Sequence, residues 1–227
     1  MMIPSANVAS ETQVRAMLPS GVSLHITRSK LTGGDEAAVR AMTDAVEPDS
    51  QLLADAKPDL IYFHCTSATT FAPGVDDDII RRIEGATGVP ASTTSKALLA
   101  ALNALGARTV SLITPYLHEI NVREVAFLEH HGFEVLNEVG LGLEAPNDML
   151  EVPPAQWLEM ARTHTDPRAD VCFLSCAATR AVECVEETEA AIGRPVLVSN
   201  QLAGWYAMRL VGVEDRIAGF GQLPARY

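Results

Sequence analysis

Asp59-Leu60-Ile61-Tyr62-Phe63-His64-Cys65 and Asp170-Val171-Cys172-Phe173-Leu174-Ser175-Cys176 are two versions of one pattern: an aspartate, an apolar run and a thiol at the same offset. An apolar run of this length predicts a strand buried on both faces, as in a parallel sheet. Small polar residues follow each thiol, Thr66-Ser67-Ala68-Thr69 in one case and Ala177-Ala178-Thr179 in the other. They suit a strand-to-helix turn, where backbone N–H groups point outward and favour negative charge. A thiol there is a candidate nucleophile or proton carrier, because the same field stabilises its thiolate.

The echo continues downstream. Gly88-Val89-Pro90 recurs as Gly193-Arg194-Pro195, and Ser95 and Asn200 each lie five residues past their proline. The segment from Gly106 to Ile113 is answered by the segment from Gly212 to Phe220. Each half reads strand, helix, short strand, helix, strand. The period of about 105 to 111 residues is too long for a solenoid repeat and right for a lobe. The expected fold is α/β: two pseudo-symmetric Rossmann-like lobes with central parallel sheets, the active site in the cleft between them and Cys65 facing Cys176. The expected boundaries are 1–108 plus 206–227 for an N-terminal lobe and 109–205 for a C-terminal lobe.

Composition narrows the function classes. A net charge of −12 argues against nucleic acid and anionic membrane surfaces as partners. Hydrophobic residues make up 48% of the chain and aromatics only 5%, which suits an Ala/Val/Leu-rich α/β protein rather than a disordered one. No apolar run approaches the roughly 18 residues of a membrane span. Met1-Met2-Ile3-Pro4 opens without a basic or long apolar leader, and four cysteines outside a short, loop-rich chain read as reduced thiols. A cytoplasmic location is expected. Neither Gly33-Gly34 nor Gly140-Leu141-Gly142 has dinucleotide-loop spacing, and Cys172, Cys176 and Cys184 lack the close ligand pairs of a zinc site. No cofactor and no metal are expected.

Along the chain, 35–57 reads as a polar-faced helix broken at Pro48, and Asp76-Asp77-Asp78 opens another. Further helices are expected at 95–105, 119–131, 156–165 and 179–192, with strands at 109–113 and 133–139. Residues 140–154 read as a Gly/Pro-rich loop carrying Asn147.

Cys65 and Cys176 are the primary chemical candidates, because each sits where a strand ends, the place open α/β sheets put their ligands. Cys172, inside a strand, and Cys184, within a helix, read as packing thiols. His64 adjoins Cys65, but neighbours on a strand face opposite ways, so it is expected to turn from the thiol. Thr66 and Ser67 offer hydroxyl and N–H groups to a carboxylate or enediolate oxygen, or simply cap a helix. Tyr116, after Pro115 at another strand end, offers a phenol. Asn7 and Asn147 are loop amides able to hold a carboxylate, though an isolated asparagine is more often a turn residue.

At these residues the chain resembles the aspartate/glutamate racemase superfamily, most closely its maleate cis-trans isomerase branch. The resemblance covers nearly the whole chain. It rests on Pro4-Ser5-Ala6-Asn7, Cys65-Thr66-Ser67, Thr93-Thr94-Ser95, Leu112-Ile113-Thr114-Pro115-Tyr116 with Asn121, Ser175-Cys176 and Ser199-Asn200-Gln201. It implies Cys65 as nucleophile and Cys176 as acid/base. It also implies Asn7, Thr66, Ser67, Tyr116, Asn147 and Ala177 as substrate-binding residues, a small carboxylate substrate, no cofactor, and a homodimer or higher assembly. Arylmalonate decarboxylases look similar through Thr66, Ser67, Tyr116 and Cys176, but carry glycine where this chain has Cys65. Two departures stand out: almost nothing precedes Ile3, where the family has a strand, and Arg180 is bulkier and more basic than a strict maleate enzyme calls for. Arg180 is expected to pair with a second substrate carboxylate or with a surface acid. A two-thiol amino-acid or hydantoin racemase, a decarboxylase and a non-enzymatic binding protein are the competing readings.

Overall fold

A computed structural model describes residues 1–31 and 36–227. Gly33-Gly34 and Asp35, the start of the first expected helix, lie outside the described residues. The strands among them are β1 (Met2–Pro4), β2 (Thr27–Ser29), β3 (Ile61–Phe63), β4 (Ala91–Thr93), β5 (Thr109–Thr114), β6 (Glu134–Gly140), β7 (Val171–Leu174) and β8 (Val196–Val198). They form two four-stranded sheets ordered β2-β1-β3-β4 and β6-β5-β7-β8, with every pairing parallel. The second order is the first shifted by four strands, so the duplication legible in the sequence is a duplication of topology.

The register of that duplication differs from the expected one. Thr109–Thr114 does not close the first half; it opens the second sheet, as β1 opens the first. Its expected image at 212–220 forms no strand. That segment carries the exposed Glu214, Asp215 and Arg216, and such a run has no apolar face to bury against a sheet. Met2–Pro4 supplies the strand that had looked missing before Asn7. It is only three residues long, yet it is central, pairing β2 on one side and β3 on the other.

Burial explains the strands. Ile61, Phe63, Val171, Cys172, Phe173 and Leu174 are fully buried, as both faces of a parallel sheet demand. One core joins the halves, containing Ile3 and Tyr62 from the first sheet and Val110, Leu112, Val171 and Phe173 from the second. The helix Ser199–Leu210 leaves β8 and packs on the helices Ser10–Met17 and Thr94–Ala104. No helix of the described chain is long and apolar enough to cross a membrane.

Other elements depart locally. The expected helix over 35–57 is two, Glu36–Asp44 and Val46–Ala54, and the break falls at Ala45. Pro48 sits in the first turn of the second helix, where its missing N–H is not needed. The loop over 140–154 contains a helix, Pro146–Glu151, opened by proline. The helix expected over 179–192 begins later: Ala177–Arg180 bend, Ala181–Cys184 is a 3-10 turn with Cys184 at its end, and the α-helix runs Val185–Ile192.

Candidate active site

In a sheet ordered 2-1-3-4 the chain leaves β1 and β3 toward opposite sides, so a crevice opens at their carboxyl ends, and the same holds for β5 and β7. Asn7 follows β1, Cys65 follows β3, Tyr116 follows β5 and Cys176 follows β7. Topology therefore pairs Asn7 with Tyr116 and Cys65 with Cys176 as equivalent positions of the two halves. All four line one cavity of about 50 Å³, together with Thr66, Ser67 and Ala177. Asn147 is exposed in the helix Pro146–Glu151 and is not among the lining residues, whereas its neighbours Pro146 and Met149 are. Sequence reasoning had not singled out Leu31, Ile120, Glu144 or Met149, which complete the wall. Their side chains carry no motif, and only the fold brings them there.

The two thiols sit differently despite their equivalent places. Cys65 has extended backbone and precedes the four-residue helix Thr66–Thr69, whose first amides lack an intrahelical acceptor. Its sulfur lies 3.7 Å from Ser67 Oγ. Cys176 adopts φ 100°, one of only two non-glycine residues at positive φ among the described residues. A side chain with a Cβ pays on the order of 1–3 kcal/mol there. The distortion lets the Ala178 amide donate to Cys176 Sγ at 3.3 Å, and the Tyr116 hydroxyl bonds the same sulfur. Burial pushes the Cys65 thiol above its ordinary value, against the Ala68 amide and Ser67. Burial also pushes Cys176 up to about 12, against Tyr116 and the Ala178 amide, and the charge of Cys65 adds to the rise. Tyr116 is lifted well above a normal phenol, first by burial and then by Cys176 and Glu124.

Behind the cavity a polar network ties the two halves. Thr66 Oγ1 donates to Ser199 Oγ at 2.9 Å, and Ser199 Oγ accepts the Cys176 amide at 3.0 Å, so one hydroxyl joins both cysteine turns. His64 turns away from the thiol, as strand alternation requires: its Nε2 meets Asn200 Oδ1 at 2.7 Å and its Nδ1 meets Thr94 Oγ1 at 2.8 Å. Asn200 Oδ1 has no proton to give, so Nε2 carries it. Burial holds His64 down to about 4, and the ring is neutral at physiological pH. Asn200 also donates to Ala177 O at 3.0 Å and to Gln13, and accepts the Ser10 hydroxyl at 2.8 Å. Asn7 is engaged too: Oδ1 accepts the amides of Ala9 and Ser10, both at 3.0 Å, and Nδ2 donates to Ser10 Oγ at 2.8 Å, leaving one N–H.

Tyr116 is set by close packing. Its amide donates to Thr114 Oγ1 at 3.0 Å, and Thr114 Oγ1 donates to Asn121 Oδ1 at 2.6 Å. A Cβ at Gly140 would overlap the Tyr116 carbonyl and fall 2.7 Å from Asn121 Nδ2, so only glycine fits. Arg180 lies outside the cavity and forks onto the exposed Glu183 at 2.9 and 2.8 Å, the surface-acid alternative. Among the described residues no Lys or Arg lines the cavity; amides, hydroxyls, the two thiols and the Asn7 and Glu144 side chains are its polar groups.

A family model for arylmalonate decarboxylase matches residues 1–224, and the chain belongs to that family. Among its relatives is the maleate isomerase of Nocardia farcinica, 26% identical over 98% of this chain and 93% of the relative. The arylmalonate decarboxylase of Bordetella bronchiseptica is 33% identical, but over 61% of this chain and 59% of the relative. A structure of a Nocardia farcinica maleate cis-trans isomerase mutant, described as holding a covalently bound succinylcysteine intermediate, superposes with a TM-score of 0.94 at 25% identity, covering 100% of this chain and 97% of that one. The resemblance read from the motifs is borne out.

Proposed function

We propose that this chain is a cofactor-independent cis-trans isomerase of a small enedioate such as maleate, working through Cys65 and Cys176. The observation that carries this reading is the presence of two thiols on one small cavity at equivalent strand ends. A decarboxylase needs one thiol, and this chain puts two on the cavity.

One substrate carboxylate rests on the Thr66 and Ser67 amides, the other near the Asn7 amide and the Tyr116 hydroxyl. Cys65, as thiolate, adds through Sγ to one alkene carbon. The π electrons move onto the neighbouring carbon and into its carboxylate as an enediolate, which the N–H and O–H donors stabilise. Cys176 delivers its proton to that carbon, giving a succinyl thioether. The carbon–carbon bond is now single and rotates. Cys176 takes the proton back, the double bond re-forms, and Cys65 leaves as thiolate. A succinylcysteine captured in the Nocardia relative is the adduct this sequence requires.

Buried free thiols favour a reduced, cytoplasmic setting, and the family resemblance favours a homodimer or higher assembly. NMR in deuterated water with maleate, phenylmalonate, aspartate, glutamate and hydantoins tests the activity. Fumarate from maleate supports the proposal. Carbon dioxide from phenylmalonate with maleate inert, or Cα exchange in an amino acid, replaces it with the corresponding competitor.

A further inference from the structure

The helix His118–His130 carries Glu124, which has no solvent exposure. Its Oε1 accepts the Ser175 hydroxyl at 2.7 Å, and its Oε2 is buried with no hydrogen-bond partner among the described residues. A carboxylate with one oxygen unpaired in a buried site is costly, and a carboxylic acid there costs less. Burial accordingly raises Glu124 to about 7. Ser175 is itself fully buried and immediately precedes Cys176, whose backbone is strained. Strain of that kind persists only where the surroundings hold it. Three tethers do so: the Ser175 amide on Ile113 O at 2.9 Å, the Cys176 amide on Ser199 Oγ, and the Ser175 hydroxyl on Glu124. The titratable groups that face Glu124 are Cys176 and Tyr116, and among the described residues no basic group offsets its charge.

We propose that Glu124 is a positioning residue for Cys176: as a neutral acid, acting through Ser175, it holds the strained turn that aims the second thiol into the cavity. Its ionisation places negative charge beside that thiol and opposes formation of the Cys176 thiolate. The catalytic consequence rests on the two-thiol reading above; the hold on Cys176 does not.

The test is the rate of Cys176 alkylation by iodoacetamide, followed by mass spectrometry across neutral pH. It compares Cys65→Ala with the same protein carrying Glu124→Gln or Ser175→Ala, each checked for folding by circular dichroism. Ser175→Ala is expected to speed alkylation at least about threefold at every pH by releasing the turn. Glu124→Gln is expected to match its parent at acidic pH and to exceed it above neutrality, where the parent's Glu124 ionises. Equal rates in all three proteins at every pH overturn the proposal. With Cys65 restored, Ser175→Ala should lose about tenfold in kcat with KM little changed, and Glu124→Gln should keep kcat at acidic pH. The expected alkylation pattern without maleate turnover would leave the positioning role standing and remove the isomerase. Turnover with uniform alkylation would remove the positioning role alone.

Discussion

A thiol that must act as nucleophile has to lose its proton, and burial makes that harder for both cysteines. Burial raises Cys65 and pushes Cys176 up to about 12; in the proposed scheme the active form has Cys65 ionised and Cys176 protonated. The sign follows directly: below the Cys65 value both sulfurs are protonated and the nucleophile is absent, and above it Cys176 remains an acid. kcat/KM for maleate is therefore expected to climb about tenfold per pH unit through neutral and mildly alkaline pH, with no falling limb from Cys176 in the accessible range. A bell centred near neutrality that persists in Glu124→Gln would contradict the assignment. Cys65→Ala should lose at least about 10³-fold in kcat, measured by fumarate formation.

Among the elements, two contacts decide whether the strand ends meet. Gly140, the last residue of β6, passes so near the Tyr116 carbonyl that Gly140→Ala must displace the turn after β5. It should destabilise the protein by about 1–3 kcal/mol in urea unfolding and raise KM, because Tyr116 moves from the cavity. An unchanged midpoint and KM would show that the turn yields freely. Ser199, at the start of the helix after β8, satisfies both the Thr66 hydroxyl and the Cys176 amide. Ser199→Ala strands a buried N–H and should cost about 1–3 kcal/mol. Because it loosens one cysteine turn from the other, kcat should fall more than KM rises. Equal wild-type kinetics would assign the bridge to stability alone.

For the molecule as a whole, two buried groups act on stability with opposite sign. His64 has a folded value of about 4 against an ordinary value of 6.5, so the unfolded chain binds the extra proton between them and stability falls as pH drops through that window. Glu124 has a folded value of about 7 against 4.5, so the folded chain binds the extra proton and stability rises as pH drops through its window. Each shift is worth about 3 kcal/mol, and the two oppose each other from about pH 6.5 to 4.5. Glu124→Gln should raise Tm at pH 8 and fall steadily on acidification below 6.5, measured by calorimetry. A variant profile parallel to wild type would mean that Glu124 titrates alike in both states.

The doubled pattern ending in Cys65 and Cys176 was enough to specify two parallel α/β units, because a strand buried on both faces leaves an unbroken apolar run in the chain. The strand ends, both thiols, Tyr116 and the Thr66-Ser67 turn were legible for the same local reason. His64 could be turned from its neighbour by alternation alone. Tertiary structure decided the rest. It showed that the segment 212–220 forms no strand to answer β5, since pairing is a property of two segments and not of one. It placed Asn147 outside the cavity, because Pro146 opens a helix that a Gly/Pro-rich stretch does not announce. It also gathered Glu124, Ser10 and Gly140 around the site, residues whose meaning comes from what lies against them across long sequence separations.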